Sequence, residues 1–168
     1  ARWSWGWVVK LGGLVMGTRS GDVAPGITAY LGRTAGMGVA EIEGLLNRRS
    51  GVFGLSGEID FRVLHERIAA GDPSAQLAYD VYIHRLRKYV GGYLALLGYA
   101  DVITFTAGVG ENDAKVRRDA LTGLNRLGIE RVEDLNDSPA RDSAGITAAE
   151  IPATMLVRPT AVELAIDL

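Results

Sequence analysis

A short apolar strand followed by a glycine-rich turn and a helix constrains the fold of this chain more than any other feature. Residues 101–106 form a short run that is rich in β-branched residues and stopped by glycine, which is typical of a buried strand. The turn at 107–112 leads into a helix predicted over 114–127. In such an arrangement backbone N–H groups and the helix dipole can meet a phosphate. Spacing alone favours a plain strand-to-helix connection, because a single G-x-G is a weak motif.

Helical and extended patterns alternate along the rest of the chain. The longest helix is predicted to begin at Asp72-Pro73, an N-cap residue followed by proline, and to continue to residue 97. Shorter helices are predicted over 25–31, 39–47 and 60–71, strands over 3–16 and 155–158, and the start of a helix at 161–166. A Gly/Ser-punctuated loop is expected at 50–57 and an irregular segment at 131–149. This alternation predicts an α/β fold with few strands and several helices.

Composition narrows the class of protein without assigning a function. With 168 residues, of which 48% are hydrophobic and 23% charged, the chain is expected to form one globular domain. A net charge of −2 gives no electrostatic reason to expect nucleic acid or an anionic membrane as partner. No apolar run approaches the roughly 20 residues that span a bilayer. Absence of cysteine excludes disulfides and thiolate metal sites and favours the reducing cytoplasm.

Four segments, in order along the chain, resemble signatures of acetate and propionate kinases, members of the sugar kinase, Hsp70 and actin superfamily. The string FTAGVGEN at 105–112 resembles the adenosine-side motif of that family. A second signature is similar to LVMGTRSGD at 14–22, and a third to NRRSG at 47–51, SG at 56–57 and DFR at 60–62. The last is similar to PT at 159–160 followed by ELAI at 163–166. On these strings the chain is identified as a member of the family, whereas a P-loop NTPase is excluded because no Walker pattern is present.

The resemblance implies a fold and a set of functional residues. It implies a partial actin-like (ribonuclease H-like) ATPase domain, forming the C-terminal, nucleotide-binding part of an acetate kinase. Arg19 matches the arginine that stabilises the phosphoryl group in flight, a role suited to a planar, permanently charged guanidinium. The nucleotide-lining tripeptide, in which an arginine plane can stack beside adenine, corresponds to Asp60, Phe61 and Arg62. The loop under the ribose and phosphates corresponds to Gly108, Val109, Gly110, Glu111 and Asn112.

Plainer interpretations of the same residues come from the sequence without the family. Arg19 reads as a surface arginine in a salt bridge, and Asp60 as the cap of a helix, a role compatible with nucleotide binding. The two histidines, His65 and His84, read as surface residues of helices. The tyrosines of the long helix read as packing or dimer contacts.

The chain also departs from the family pattern. Family members are much longer, and their acetate pocket, second catalytic arginine and active-site histidine match nothing in these residues. Val162 stands where the family has a magnesium-coordinating glutamate, and valine cannot bind a cation that requires oxygen ligands. No metal ligand is therefore assigned. Residues 1–12, predicted as an N-terminal strand, match the family poorly.

Two functions from different classes fit these residues, and we expect the first. The first is an acetate kinase that uses ATP or ADP, with Mg²⁺ in the parent family, and a small carboxylate as partner substrate. A propionate or butyrate kinase is a variant of this reading, because the acyl pocket is not among these residues. The second is a non-catalytic nucleotide-binding or dimerisation remnant of the same fold. The resemblance also implies a homodimer, and the missing segments imply a chain that is inactive by itself.

Overall fold

The computed structural model describes residues 12–100, 102–127, 129, 136, 144–145 and 154–157. The chain divides into two compact units, residues 1–86 and 87–168. That residues 1–168 form one domain stays a prediction. Most of the strand predicted at 3–16 and all of the helix predicted at 161–166 lie outside the described residues.

The first unit is helical over most of its described length. It contains α1 (Gly26–Ala35), α2 (Val39–Arg48), α3 (Gly51–Ser56), α4 (Phe61–Ala69) and the beginning of α5 (Pro73–Leu97). Its core is built largely from apolar residues three or four apart on helices: Ile42, Leu46, Phe61, Leu64, Ala75, Ala78, Tyr79 and Ile83. The helical periodicity read from the sequence thus places one face of α2 in the interior, at Ile42 and Leu46. On α5 the same periodicity predicts a packed face that includes Leu77, Tyr93 and Leu97, but these three side chains are exposed, so that part of the prediction is wrong.

The start of α5 lies where the sequence predicts it. The Asp72 Oδ1 atom accepts a hydrogen bond from the backbone N–H of Ser74 at 2.8 Å. Arg67 donates from Nη2 to Asp72 Oδ2 at 2.7 Å. Hydrogen bonds from Ser74 and Arg67 hold the pKa of Asp72 well below its ordinary value. A charged cap therefore fixes the first turn of the longest helix.

The second unit places a small sheet beside two helices. Its elements are the end of α5, β1 (Val102–Phe105), α6 (Ala107–Asn112), α7 (Ala114–Leu121), a 3₁₀ turn (Asn125–Leu127), β2 (Ala144–Gly145) and β3 (Thr154–Val157). The strand order is β1-β3-β2. Strand β3 runs parallel to β1, with Val102 opposite Thr154, and antiparallel to β2. Phe105, Leu121, Leu124 and Ile129 form the buried cluster of this unit.

Several predicted boundaries are wrong. Residues 50–57 contain helix α3 rather than a loop, since backbone contacts with a distant segment outweigh the low helix propensity of glycine and serine. The glycine-rich turn at 107–112 is itself a short helix, in which Asp113 N–H donates to the Val109 carbonyl at 2.9 Å. The helix predicted over 114–127 ends at Leu121. Residues 12–14 form bends and residues 15–16 have no regular secondary structure, so this part of the predicted strand is wrong.

The aromatic residues around α4 correct one expectation and confirm another. His65 is half-buried rather than a surface residue, with its ring centroid 5.3 Å from that of Tyr79 and 6.3 Å from that of Phe61. Tyr82 packs against Phe61 at a centroid distance of 4.8 Å, so tyrosines of α5 do act as packing residues. Among the helices of the described ranges, none is long and apolar enough to cross a membrane.

Candidate functional site

The segment that carries Arg19 is a closed loop. At its base, the Gly13 N–H donates to Asp22 Oδ1 at 2.6 Å, and the Asp22 N–H donates to the Gly13 carbonyl at 3.1 Å. Gly21 has a φ of +68°, and a Cβ there would lie 2.6 Å from the Gly13 carbonyl oxygen. A glycine is therefore required where the two ends of the loop meet.

Backbone hydrogen bonds attach the same loop to the junction of α2 and α3. The Val52 and Phe53 N–H groups donate to the Met16 and Gly17 carbonyls at 3.0 and 2.8 Å. Ser50 N–H donates to Thr18 O at 3.0 Å, and Ser20 N–H to Leu46 O at 2.9 Å. These bonds satisfy free N–H groups at the start of α3, so the loop and the helix hold each other in position.

The side chain of Arg19 is exposed and lines an open cavity of about 540 Å³. Nη1 of Arg19 lies 3.9 Å from Met16 Sδ, and within the described residues Arg19 forms no ion pair with a carboxylate. Arg48, from the last turn of α2, lines the same cavity, together with Glu43 and Asn47. The surface salt bridge suggested by the sequence alone is therefore absent from this part of the chain, and a guanidinium faces open space.

The tripeptide at 60–62 begins helix α4 and divides its side chains between core and surface. Asp60 caps the helix, because its Oδ1 accepts from the Arg62 N–H at 2.9 Å. Arg62 also donates from Nε and Nη2 to the same carboxylate, at 3.0 and 2.5 Å, while its side chain stays 88% exposed. Phe61 is buried against Tyr82. A helix cap at Asp60 and an exposed guanidinium at Arg62 are thus compatible.

Charge pairing sets the protonation state at this helix start. Hydrogen bonds from the side chain and backbone N–H of Arg62 lower the pKa of Asp60 to about 2. The same carboxylate raises the pKa of Arg62 above its ordinary value. The ion pair fixes one edge of the guanidinium and leaves its planar faces toward solvent, the geometry that stacking on an aromatic base requires.

The glycine-rich segment of the second unit follows directly from β1. Ala107 opens α6 with a φ of +62°, a left-handed conformation that a non-glycine residue seldom adopts. Gly108 is exposed, and a Cβ there would meet nothing within 4 Å. At the other glycine, Gly110, a Cβ would lie 3.3 Å from the Phe105 carbonyl carbon. Asn112 Nδ2 donates to the Gly108 carbonyl at 2.8 Å and closes the turn.

Two residues near these segments are not identified by the motif reading as site residues. Arg48 shares the cavity of Arg19, and its position inside the NRRSG string is the signal that could have found it. Glu58 accepts from the backbone N–H groups of Ile59 and Asp60 at 2.7 and 2.8 Å, which lowers its pKa. In the described residues no group of three His, Cys, Asp or Glu side chains is placed to hold a metal ion, and Val162 lies outside them.

Known proteins match this chain in sequence and in fold. The acetokinase family model matches residues 5–168. Acetate kinase of Corynebacterium aurimucosum is 51% identical over 159 residues, which is 95% of this chain and 39% of the relative. Among solved structures, acetate kinase of Porphyromonas gingivalis aligns with a TM-score of 0.87 and 39% identity, covering 94% of this chain and 40% of that one. A propionate kinase of Francisella tularensis aligns with a TM-score of 0.84 and 36% identity, covering 93% and 40%.

These matches confirm the family and the fold read from the sequence. The chain spans about two fifths of the length of the relatives it matches. Its elements superimpose on kinases of the actin-like superfamily, so the predicted partial α/β domain of that fold is confirmed. Because the family model matches nearly the whole chain, the protein belongs to the acetokinase family.

Proposed function

We propose that this chain is the nucleotide-binding part of a cytoplasmic kinase that transfers a phosphoryl group between ATP and acetate. A carboxylate oxygen of acetate attacks the terminal phosphorus of ATP, the bond to the bridging oxygen breaks, and acetyl phosphate and ADP are the products. The observation that carries the proposal is Arg19, held on a rigid loop with its guanidinium facing an open cavity. Such a transfer depends on positioning and on positive charge near the phosphoryl oxygens.

The proposal gives each nucleotide-facing segment its own task. The exposed face of Arg62 stacks on adenine, while Asp60 holds its edge and Phe61 anchors the segment in the core. Gly108, Val109, Gly110, Glu111 and Asn112 present backbone to the ribose and phosphates, and the lack of a side chain on exposed Gly108 leaves room for that approach. Among the described residues, no group of three His, Cys, Asp or Glu side chains is placed to hold the magnesium ion that accompanies the nucleotide in this family.

A second candidate, a nucleotide-binding module without catalysis, is favoured by one residue. The side chain of Val162 has no oxygen, and it stands where the family places a magnesium-coordinating glutamate. Under this candidate the chain binds ADP but catalyses no phosphoryl transfer, even when it is joined to the rest of an acetate kinase. The propionate kinase among the solved relatives makes propionate a second candidate acceptor, although it is 36% identical to this chain and the two acetate kinases named above are 51% and 39% identical.

We further propose that the chain forms a homodimer. Large apolar side chains are exposed at the end of α5 and just beyond it: Tyr93, Leu96, Leu97 and Tyr99. Leu96 is 82% exposed, and a patch of this kind is seldom left open to water. Light scattering coupled to gel filtration should give a dimer mass for the chain and a monomer mass for Leu96→Glu. Equal monomer masses at tens of micromolar protein would contradict the proposal.

A chimera tests the proposed activity. In the chimera, this chain replaces the 159-residue segment of the Corynebacterium aurimucosum enzyme with which it aligns. One chimera keeps Val162 and a second carries Val162→Glu. We expect the Val162→Glu chimera to form acetyl phosphate, trapped as the hydroxamate, and Arg19→Ala to lower kcat about a thousandfold, as loss of a transition-state arginine does. Arg33→Ala, at an exposed arginine of α1, is the matched control.

Full activity after Arg19→Ala would refute the role of Arg19. Inactivity of the chimera that retains Val162 would favour the non-catalytic module for the natural sequence.

A further inference from the structure

Arg117 is the most deeply buried charged residue in the described part of the chain, and no motif reading assigns it a task. It lies on α7 with 1% of its surface exposed. Nη1 of Arg117 donates to the carbonyls of Gly110 and Glu111 at 2.9 and 2.8 Å. Nε donates to Asn136 Oδ1 at 3.0 Å, and Nη2 donates to the Asn136 carbonyl at 2.5 Å. Taking a guanidinium out of water is costly, so such a residue persists where its hydrogen bonds define a geometry.

The two carbonyls that Arg117 holds belong to α6, the helix formed by the glycine-rich segment. A helix of six residues with two glycines is marginal by itself, and its last carbonyls have no partners within the helix. The Arg117 guanidinium at that end donates hydrogen bonds to two of these carbonyls, and its positive charge interacts favourably with the negative end of the helix dipole. Ala107, at the other end, is held in a left-handed conformation that needs support from its surroundings.

Asn136 completes the arrangement from the opposite side. It is fully buried, and its Nδ2 donates to the Ala114 carbonyl at 3.0 Å, at the start of α7. One amide thus bonds both the arginine and the helix on which the arginine lies. We propose that Arg117 and Asn136 form a clamp that sets the position of residues 107–112, so that Arg117 is a positioning residue for nucleotide binding. This inference rests on the proposed function, since the nucleotide is what the positioned segment would bind.

The clamp predicts a specific pattern in the full chain. Arg117→Lys keeps the charge but loses the fork that reaches two carbonyls and Asn136 together. We expect amide hydrogen exchange in residues 107–112 to accelerate about tenfold or more, the change expected on losing a charge-assisted hydrogen bond. ADP binding, measured by calorimetry where the variant is fully folded, should weaken roughly 10- to 100-fold, as on removal of a group that orients direct ligands. Arg118→Lys is the control, because Arg118 is adjacent, more exposed and near Asp119 at 3.5 Å.

The two readouts separate the clamp from the proposed function. If amide exchange at 107–112 in Arg117→Lys matches that in the Arg118→Lys control, the clamp is overturned. It is also overturned if Arg117→Lys is folded and exchanges faster at 107–112 but binds ADP with unchanged affinity. A residue with a merely structural role would leave the affinity of the folded protein unchanged. If the natural chain binds no ADP, the proposed function fails, and exchange still decides the clamp. Should Arg117→Lys unfold the chain, Asn136→Ala leaves the bonds from Arg117 to α6 in place. Faster exchange in 107–112 of that variant supports the clamp, and unchanged exchange overturns it.

Discussion

Gly51→Ala is expected to displace the loop that carries Arg19. Gly51 has a φ of +66°, and a Cβ there would lie 2.2 Å from the Met16 carbonyl oxygen and 2.7 Å from that of Arg19. Both atoms are backbone, so neither can rotate away, and the loop must separate from the start of α3. The hydrogen bonds from Val52 and Phe53 to that loop, at 3.0 and 2.8 Å, would then be lost or lengthened.

The cost of this change can be worked out against a matched control. Gly57 has a φ of +74°, but a Cβ there meets nothing within 4 Å. Both alanine variants carry the left-handed strain of about 1–2 kcal/mol, which therefore cancels between them. Two weakened hydrogen bonds cost Gly51→Ala a further 1–3 kcal/mol or so. With part of the steric overlap relieved by movement of the loop, we expect a difference of about 2–4 kcal/mol in the free energy of unfolding.

Urea unfolding followed by circular dichroism measures this difference, and hydrogen exchange shows where it arises. We expect Gly51→Ala to unfold at lower urea than Gly57→Ala and to exchange faster at residues 13–22 and 50–53. Equal midpoints for the two variants would refute the reasoning, because they would show that the loop does not lie against α3 at Gly51.

Three further predictions follow from the same residues. Asp60, with a folded pKa of about 2 against an ordinary 3.8, stabilises the folded state above pH 3.8. That contribution should be lost as pH falls from 3.8 toward 2, and Asp60→Asn should remove this part of the pH dependence in carboxyl-detected NMR titration and acid unfolding. Arg19→Ala should leave the free energy of unfolding within about 0.5 kcal/mol of the natural chain in urea, because the side chain is exposed. Val162→Glu should make ADP binding stronger with Mg²⁺ than with EDTA in calorimetry, whereas the natural chain should show no such difference.

Local signals were sufficient for much of the fold. Asp72 and Pro73 mark the start of α5 because a cap and a proline act within one turn of the chain. Apolar spacing predicts the buried face of α2, and β-branched residues predict β1. Helix α3 was missed because its first hydrogen bonds go to Met16 and Gly17, which a local pattern cannot anticipate.

Some features of the candidate site could likewise be predicted from the sequence, and others could not. The family strings selected Arg19 and Arg62, and the structure leaves both side chains exposed. The sequence predicts that Asp60 caps α4, whereas the ion pair between Asp60 and Arg62 is known only from the structure. Burial of Arg117 against Asn136 could not be predicted, because an arginine on a short polar helix normally lies at the surface and its partner is distant in sequence.

The most direct test of the nucleotide site is an ADP titration of the chain followed by NMR. Signals of the Arg62 side chain and of the amides of Gly108, Val109, Gly110, Glu111 and Asn112 are predicted to shift in a saturable manner. Signals of His84, exposed on α5 and outside every proposed segment, should stay fixed. Saturable shifts confined to other residues, with these segments unchanged, would contradict the assignment of the nucleotide site.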